Sequence, residues 1–207
     1  MQKLLLHQLD QAVAILRAGG VVVYPTETSY ALGCDATNER AIKKIYKIKN
    51  RITGKPFLVI VPSVSVVKRY LRWNKMLTRL ARNYWPGPLT VVGDYRRPLF
   101  SKNLASGAVS KDKTLAVRVS VSTIPNYLSR RLGHPIVATS ANISTVGDIY
   151  DAEKIRLTFM GEINQPDAFI DVGDLPRHPP TTIVSVLNDQ VQILRQGELQ
   201  VDEIFNI

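Results

Sequence analysis

Four cations crowd nine residues of this chain: Lys47, Lys49, Arg51 and Lys55. No acid lies near them in sequence, so their repulsion goes unrelieved unless an anion supplies the counter-charge. Phosphate oxygens are the ligands that Lys and Arg donors fit best. A structural reading stands beside this one. Lys49-Asn50-Arg51 falls where a helix stops, and cations there gain about 0.3–1 kcal/mol from the helix dipole. A second constellation lies far along the chain. Thr139-Ser140-Ala141-Asn142 follows the apolar run 136–138, and Pro25-Thr26-Glu27-Thr28 follows the apolar run 21–24 in the same way. Strand ends offer backbone N–H groups and small hydroxyls to a ligand. Ser, Thr and Asn also favour such turns for their own local hydrogen bonds. Two like turns after two buried runs, together with the basic cluster, point to an anion pocket built without histidine.

Other chemistries find little support. The sequence has no GxxxxGK[ST] phosphate loop and no GxGxxG fingerprint. His7, His134 and His178 are scattered, HExxH is absent, and Cys34 is the single cysteine, so no cysteine-based metal site or internal disulfide can form. No GxSxG elbow marks a serine hydrolase. Asp171 and Asp174 read as a solvated acidic pair.

The formal net charge of +10 is unevenly spread. From Arg40 to Gly93 there are thirteen Lys and Arg and no Asp or Glu, while the remainder carries 14 basic and 17 acidic residues. Such a field attracts polyanions: nucleotides, RNA or an acidic membrane. The apolar N-terminal stretch is broken by His7, Asp10 and Arg17, which is unlike a signal peptide. No run reaches the ~18 apolar residues of a membrane span. The expectation is a cytoplasmic protein without a membrane partner.

Positioning the pocket falls to short, mixed elements. Asp10 is expected to cap a helix over 10–18, stopped by Gly19-Gly20. Residues 21–24 read as a strand and 26–33 as a hydroxyl-rich loop. Asn38 should cap a helix running to about Lys49, with Ala41, Ile42, Ile45 and Ile48 inward. Strands are expected at 57–61, 89–92, 115–119, 136–138, 168–171, 182–186 and 191–194. Helices are expected at 64–71, 75–84, 124–132 and 152–159, and the basic stretch 96–113 reads as a mobile loop. This mixture lacks a strict βαβ beat. It predicts an α/β (α+β) fold: a single domain over residues 1–207, with a twisted mixed β-sheet flanked by helices and a basic concave face.

Seven segments, in order, resemble the YrdC/YciO family: GGVVVYPTETSYALGCDA, IYKIKNRITGKPFLVIV, WPGPLTVV, TLAVRVS, ATSANIS, PPTTIVSV and ILRQG. The best-known activity of that family is threonylcarbamoyl-AMP synthase. The resemblance implies ATP, bicarbonate and L-threonine as substrates, with Mg²⁺ accompanying ATP. It also implies a downstream tRNA threonylcarbamoyl-transferase complex. The family's Lys-x-Arg and Ser-x-Asn signatures fall on Lys49, Arg51, Ser140 and Asn142, which it implies as catalytic residues. By the same match Arg51, Lys55, Thr114, Ser140, Asn142 and Arg195 hold ATP, and Thr28, Arg118, Ala138 and Thr181 hold L-threonine.

The match has departures. Ile60 stands where the family often has a histidine that contacts threonine. The glycine of SANxSG is replaced by Thr145, after Ser144, and Ile149-Tyr150 replaces the usual Pro-Thr. These changes keep a second reading open: a YciO-like paralogue that binds double-stranded RNA, tRNA or ribosomes, with weak or different nucleotide chemistry. Arg69, Arg72, Lys75, Arg79 and Arg82 would track phosphates in that reading.

Overall fold

Apolar runs buried on both sides build the centre of the molecule. The computed structural model describes residues 1–51, 54–143 and 147–200. Its strands are β1 (Gln2–Leu4), β2 (Val22–Pro25), β3 (Tyr30–Gly33), β4 (Leu58–Val61), β5 (Leu89–Asp94), β6 (Thr114–Val119), β7 (Ile136–Ser140), β8 (Ala168–Ile170), β9 (Thr182–Leu187) and β10 (Gln190–Arg195). They form one ten-stranded sheet in the order β1-β8-β2-β3-β7-β4-β6-β5-β9-β10. The pairs β1/β8, β2/β8, β4/β6 and β5/β9 are parallel, and the others are antiparallel. The sheet is therefore mixed, as the irregular alternation of elements predicts.

Period-2 alternation sends neighbouring residues to opposite faces. Val21, Val23, Leu32, Val59, Val61, Val117 and Val184 face one core. The helices α2 (Glu39–Ile48), α3 (Val64–Tyr70), α4 (Lys75–Tyr84) and α6 (Ala152–Phe159) cover it, through residues such as Ile42, Ile45, Val67, Leu77, Leu80 and Phe159. On the other face α1 (Leu9–Arg17) and α5 (Thr123–Leu132) pack on Val22, Tyr24, Ile60 and Ile136 through Val13, Leu16, Leu128 and Leu132. These two helices cover the β8-β2-β7-β4 side of that face.

Several sequence expectations need correction. Helix α1 begins at Leu9, so Asp10 lies inside it and is not its cap. Its carboxylate instead accepts from Tyr127 Oη at 2.8 Å and Arg131 Nη2 at 3.2 Å, tying α1 to α5. Residues 30–33 are a strand and not part of a loop. Tyr30, Leu32 and Gly33 are buried like Ala31 between them, so no alternating pattern marks β3. The hairpin turn before it is held by Thr26, whose Oγ1 donates to Ser29 O at 2.8 Å. Strand β1 escaped notice because only Leu4 is buried and its pairing partner, β8, is distant in sequence.

The stretch 96–113 is anchored and not a free loop. Arg96 N donates to Tyr70 O at 2.7 Å, Ala105 N to Ala36 O at 2.9 Å, and Phe57 N to Gly107 O at 2.7 Å. Gly107 has φ +94°, and a Cβ there would meet Ile42 Cγ2 at 2.7 Å, so this contact with α2 requires glycine. Asn38 does cap α2, accepting from Ala41 N at 3.1 Å.

Candidate active site

Beyond the reach of α5, the sheet face over β6, β5 and β9 carries no helix among the described residues and forms the floor of a pocket of about 510 Å³. Leu58, Val92, Ala116, Ala138 and Ile183 contribute, and the small side chains of Ala31, Ala116 and Ala138 leave the space. Thr26, Thr28, Arg51, Ser140, Asp148, Thr181 and Arg195 ring it. The expected basic concave face is only partly present. Alternation places α3 and α4 behind the sheet. Of the thirteen cations between Arg40 and Gly93, Arg51 alone lines the pocket, with Lys49 behind it.

Lys49 joins the two turns that the sequence singles out. It closes α2 and is 3% exposed. Its Nζ donates to Ser140 O at 2.7 Å, Asn142 O at 2.9 Å and Asn142 Oδ1 at 2.5 Å. Ser140 Oγ donates to the same Asn142 Oδ1 at 2.8 Å. Burial, reinforced by the charge of Arg51, holds the Lys49 ammonium down at about 8, and Asp148 works the other way. Asn50 then takes a left-handed φ of 48°, which turns the chain out of the helix. Arg51 follows, its guanidinium 5.0 Å from the Phe57 ring centroid.

A second buried cation sits on β6. Arg118 is 3% exposed, and its Nη2 lies 3.3 Å from Glu27 Oε2. Glu27 is otherwise occupied: Ser120 Oγ donates to Oε2 at 2.5 Å and Val121 N to Oε1 at 3.3 Å. Arg118 Nε is buried without a hydrogen-bond partner among the described residues. Burial lowers the affinity of this guanidinium for its proton, and Glu27 opposes that. Close by, Thr90 Oγ1 and Thr181 Oγ1 are 2.9 Å apart. Arg195, at the end of β10, donates from Nη2 to Thr181 O at 2.8 Å.

The structure thus gathers Thr28, Arg51, Arg118, Ala138, Ser140, Thr181 and Arg195 around one cavity. Lys49 and Asn142 form its support and do not line it. Lys55 and Thr114 are not brought in. Lys55 is exposed on the turn after Arg51, with its carbonyl accepting from Tyr46 Oη at 2.8 Å, and Thr114 Oγ1 is 2.8 Å from Ser110 Oγ. Ile60 is also outside the lining. It is fully buried beneath α5, while Leu58, two residues earlier on the same face, meets the pocket. Ser144 and Thr145 lie outside the described residues. Sequence reasoning missed Asp148 and the role of Glu27 as the partner of Arg118. The adjacent PTET motif could have flagged Glu27, since a lone acid among hydroxyls after a buried strand needs a cation. Asp171 pairs with Lys3 at 2.6 Å and Asp174 accepts from Ala152 N at 3.1 Å, so both serve local structure. Among the described residues no His/Cys/Asp/Glu group could hold a metal ion, and no helix is long and apolar enough to cross a membrane.

Comparison with known proteins places the chain in a family. The family model Sua5/YciO/YrdC, described as telomere recombination, matches residues 14–197. A threonylcarbamoyl-AMP synthase of Bacillus subtilis is 31% identical over 198 residues, covering 95% of this chain and 55% of the relative. One of Coxiella burnetii is 32% identical over 188 residues, covering 89% and 96%. The structure of P. abyssi Sua5 complexed with L-threonine is similar with a TM-score of 0.87 and 27% identity, over 99% of this chain and 59% of that one. E. coli YciO is similar with a TM-score of 0.84 and 28% identity, over 98% of both chains. This chain thus spans little more than half of the B. subtilis and P. abyssi proteins, and nearly the full length of the other two. From its seven sequence segments, its mixed sheet and its matched span, the chain belongs to the Sua5/YciO/YrdC family.

Proposed function

We propose that this chain is an L-threonylcarbamoyladenylate synthase, a nucleotidyltransferase. It joins L-threonine, bicarbonate and ATP into threonylcarbamoyl-AMP and pyrophosphate for the threonylcarbamoyladenosine modification of tRNA in the cytoplasm. The observation that carries this reading is a single pocket with two kinds of cation. Arg51 and Arg195 sit at its rim, and Arg118 lies in its wall with Nε unpartnered among the described residues. The relatives named threonylcarbamoyl-AMP synthase, and the L-threonine bound by P. abyssi Sua5, support it.

The threonine amine captures carbon dioxide, formed from bicarbonate by loss of water, and becomes a carbamate. A carbamate oxygen then attacks the α-phosphorus of ATP, and pyrophosphate leaves with the bonding electrons of the broken P–O bond. Such a displacement needs positioning and charge stabilisation more than an acid–base pair. Arg51, Arg195 and Ser140 take the nucleotide, and Lys49 and Asn142 fix the Ser140 turn from behind. Arg118 takes the threonine carboxylate with its fork of donors, beside Thr28, Ala138 and Thr181. Asp148 is the one carboxylate lining the pocket among the described residues, so Mg²⁺ would arrive on the phosphates of ATP and not in a protein cage. When bound there, Mg²⁺ would neutralise charge on the leaving pyrophosphate. A tRNA threonylcarbamoyl-transferase complex would consume the product.

The test mixes purified protein with ATP, bicarbonate, L-threonine and Mg²⁺ and follows pyrophosphate and the adenylate. Threonine-dependent release of both is expected, and Arg51→Ala should lower kcat/KM about 100-fold. Folded protein that releases no threonine-dependent pyrophosphate would refute the synthase. The near full-length match to E. coli YciO favours one second reading, a paralogue that binds RNA or ribosomes with different nucleotide chemistry. In that case ATP would bind, with no response to threonine.

A further inference from the structure

The segment 96–103 reads RRPLFSKN, and its apolar tip stands in solvent: Leu99 is 77% exposed and Phe100 98%. The exposure does not come from a loose chain. On one side Arg96 N is bonded to Tyr70 O at 2.7 Å, and on the other Leu104 is buried, with its N donating to Tyr95 Oη at 3.2 Å. A side-chain hydrogen bond between Ser101 and Tyr70 pins the segment again, right after Phe100. Anchored flanks therefore hold an aromatic ring outward that could otherwise have packed. Pro98 adds stiffness, and the ring carries little ordering cost when a flat partner arrives.

The surroundings identify the chemistry of that partner. Arg96, Arg97 and Lys102 are exposed on the same segment, and none is in an ion pair among the described residues. The end of α3 lies alongside. Arg72 N donates to Asp94 O at 2.9 Å, and Leu71 bridges Tyr95. This juxtaposition adds Arg69 and Arg72, both exposed. Asp94 is the one acid on this stretch of backbone, set against five cations. A fixed aromatic among cations matches an unpaired nucleotide strand, whose bases stack while its phosphates take the guanidinium groups. A duplex hides its base faces and would leave Phe100 without a partner. An acidic protein surface would use the cations and waste the ring.

We propose that the 96–103 tip, with Arg69 and Arg72, is a binding site for single-stranded RNA, with Phe100 as its stacking residue. None of these residues lines the catalytic pocket, so the site stands independently of the synthase reading. The experiment measures binding of the full chain to a fluorescent single-stranded oligouridylate, a duplex of equal length, and phosphatidylserine vesicles. Single strands should bind best. Phe100→Ala should weaken that binding about tenfold, and Phe100→Trp should restore it with quenching of the new indole. Arg96→Ala with Arg97→Ala should flatten the salt dependence by about 1.4 in log–log slope. Binding of the single strand unaffected by Phe100→Ala would overturn the proposal, as would equal affinity for duplex. Vesicle binding without RNA binding would assign the tip to a membrane surface instead. Because Phe100 contacts solvent, an unchanged circular dichroism spectrum is expected for both variants, and threonine-dependent pyrophosphate release should be unaltered.

Discussion

Two buried cations frame the pocket, and the protein satisfies them in opposite ways. Among the bonds of Lys49 are three to neutral oxygens: the carbonyls of Ser140 and Asn142 and the Asn142 amide. Burial and the charge of Arg51 lower its proton affinity, against the pull of Asp148. Arg118 instead faces Glu27, whose two oxygens are also held by Ser120 and Val121. The first cation spends its donors on architecture and lends its charge to the field. The second has its charge balanced and keeps a donor in hand. A compact ammonium suits the first task and a five-donor fork the second.

The sharpest way to break this contrast is Arg118→Met. It leaves the half-buried Glu27 opposite a thioether, and removing the buried partner of this pair should cost about 3 kcal/mol in chemical denaturation. Adding Glu27→Leu should recover much of that loss, because the stranded carboxylate goes too. A double variant no more stable than the single would show that the pair is not coupled. Lys49→Met comes next, at about 2 kcal/mol, since the carbonyls of Ser140 and Asn142 lose a donor. If Lys49→Met cost more than Arg118→Met, the contrast would be inverted.

The pH response separates the two sites further. The folded protein holds the Lys49 proton with a pKa of about 8 against 10.5 for a free lysine. The unfolded chain therefore binds more protons between these values, and stability from this group rises with pH through that window. The penalty is fully present below about pH 8. Denaturation midpoints measured across pH 7.5 to 10 should show the rise in the parent protein and lack it in Lys49→Met. The smallest effect is expected at Asn38→Ala. Losing the bond to Ala41 N should cost about 1 kcal/mol through the helix that delivers Lys49, with no change at Arg118.

What the sequence reveals of this site follows physical locality. Lys49 and Arg51 are legible because cations without acids demand an explanation, and Ser140 and Asn142 because hydroxyls and amides after a buried run do. Their meeting is not legible, since it depends on α2 ending against β7, a contact between residues 91 and 93 positions apart. The same limit hides Asp148 and the pairing of Glu27 with Arg118. Lys55 and Thr114, which the resemblance implies as nucleotide contacts, lie outside the pocket lining. Lys55 is next to the lining residue Pro56 but sits exposed on a turn, and Thr114 shares the face of Ala116 and Arg118 at the far end of β6, where its hydroxyl meets Ser110. For the fold, strongly periodic helices such as α4 emerge at the right residues, whereas β3, buried on both faces, offers no alternation to read.

The left-handed residue Asn50 has a consequence for spacing. Each residue added to a helix rotates the next side chain by about 100°. Inserting or deleting one position before Lys49 would swing its ammonium from the Ser140 and Asn142 acceptors toward another face of α2. The turn at Asn50 uncouples Arg51 from that rotation, so the two cations can point in different directions only one residue apart. Insertions and deletions between Asn38 and Lys49 should therefore be rejected, which makes α2 a fixed ruler for the placement of the ammonium.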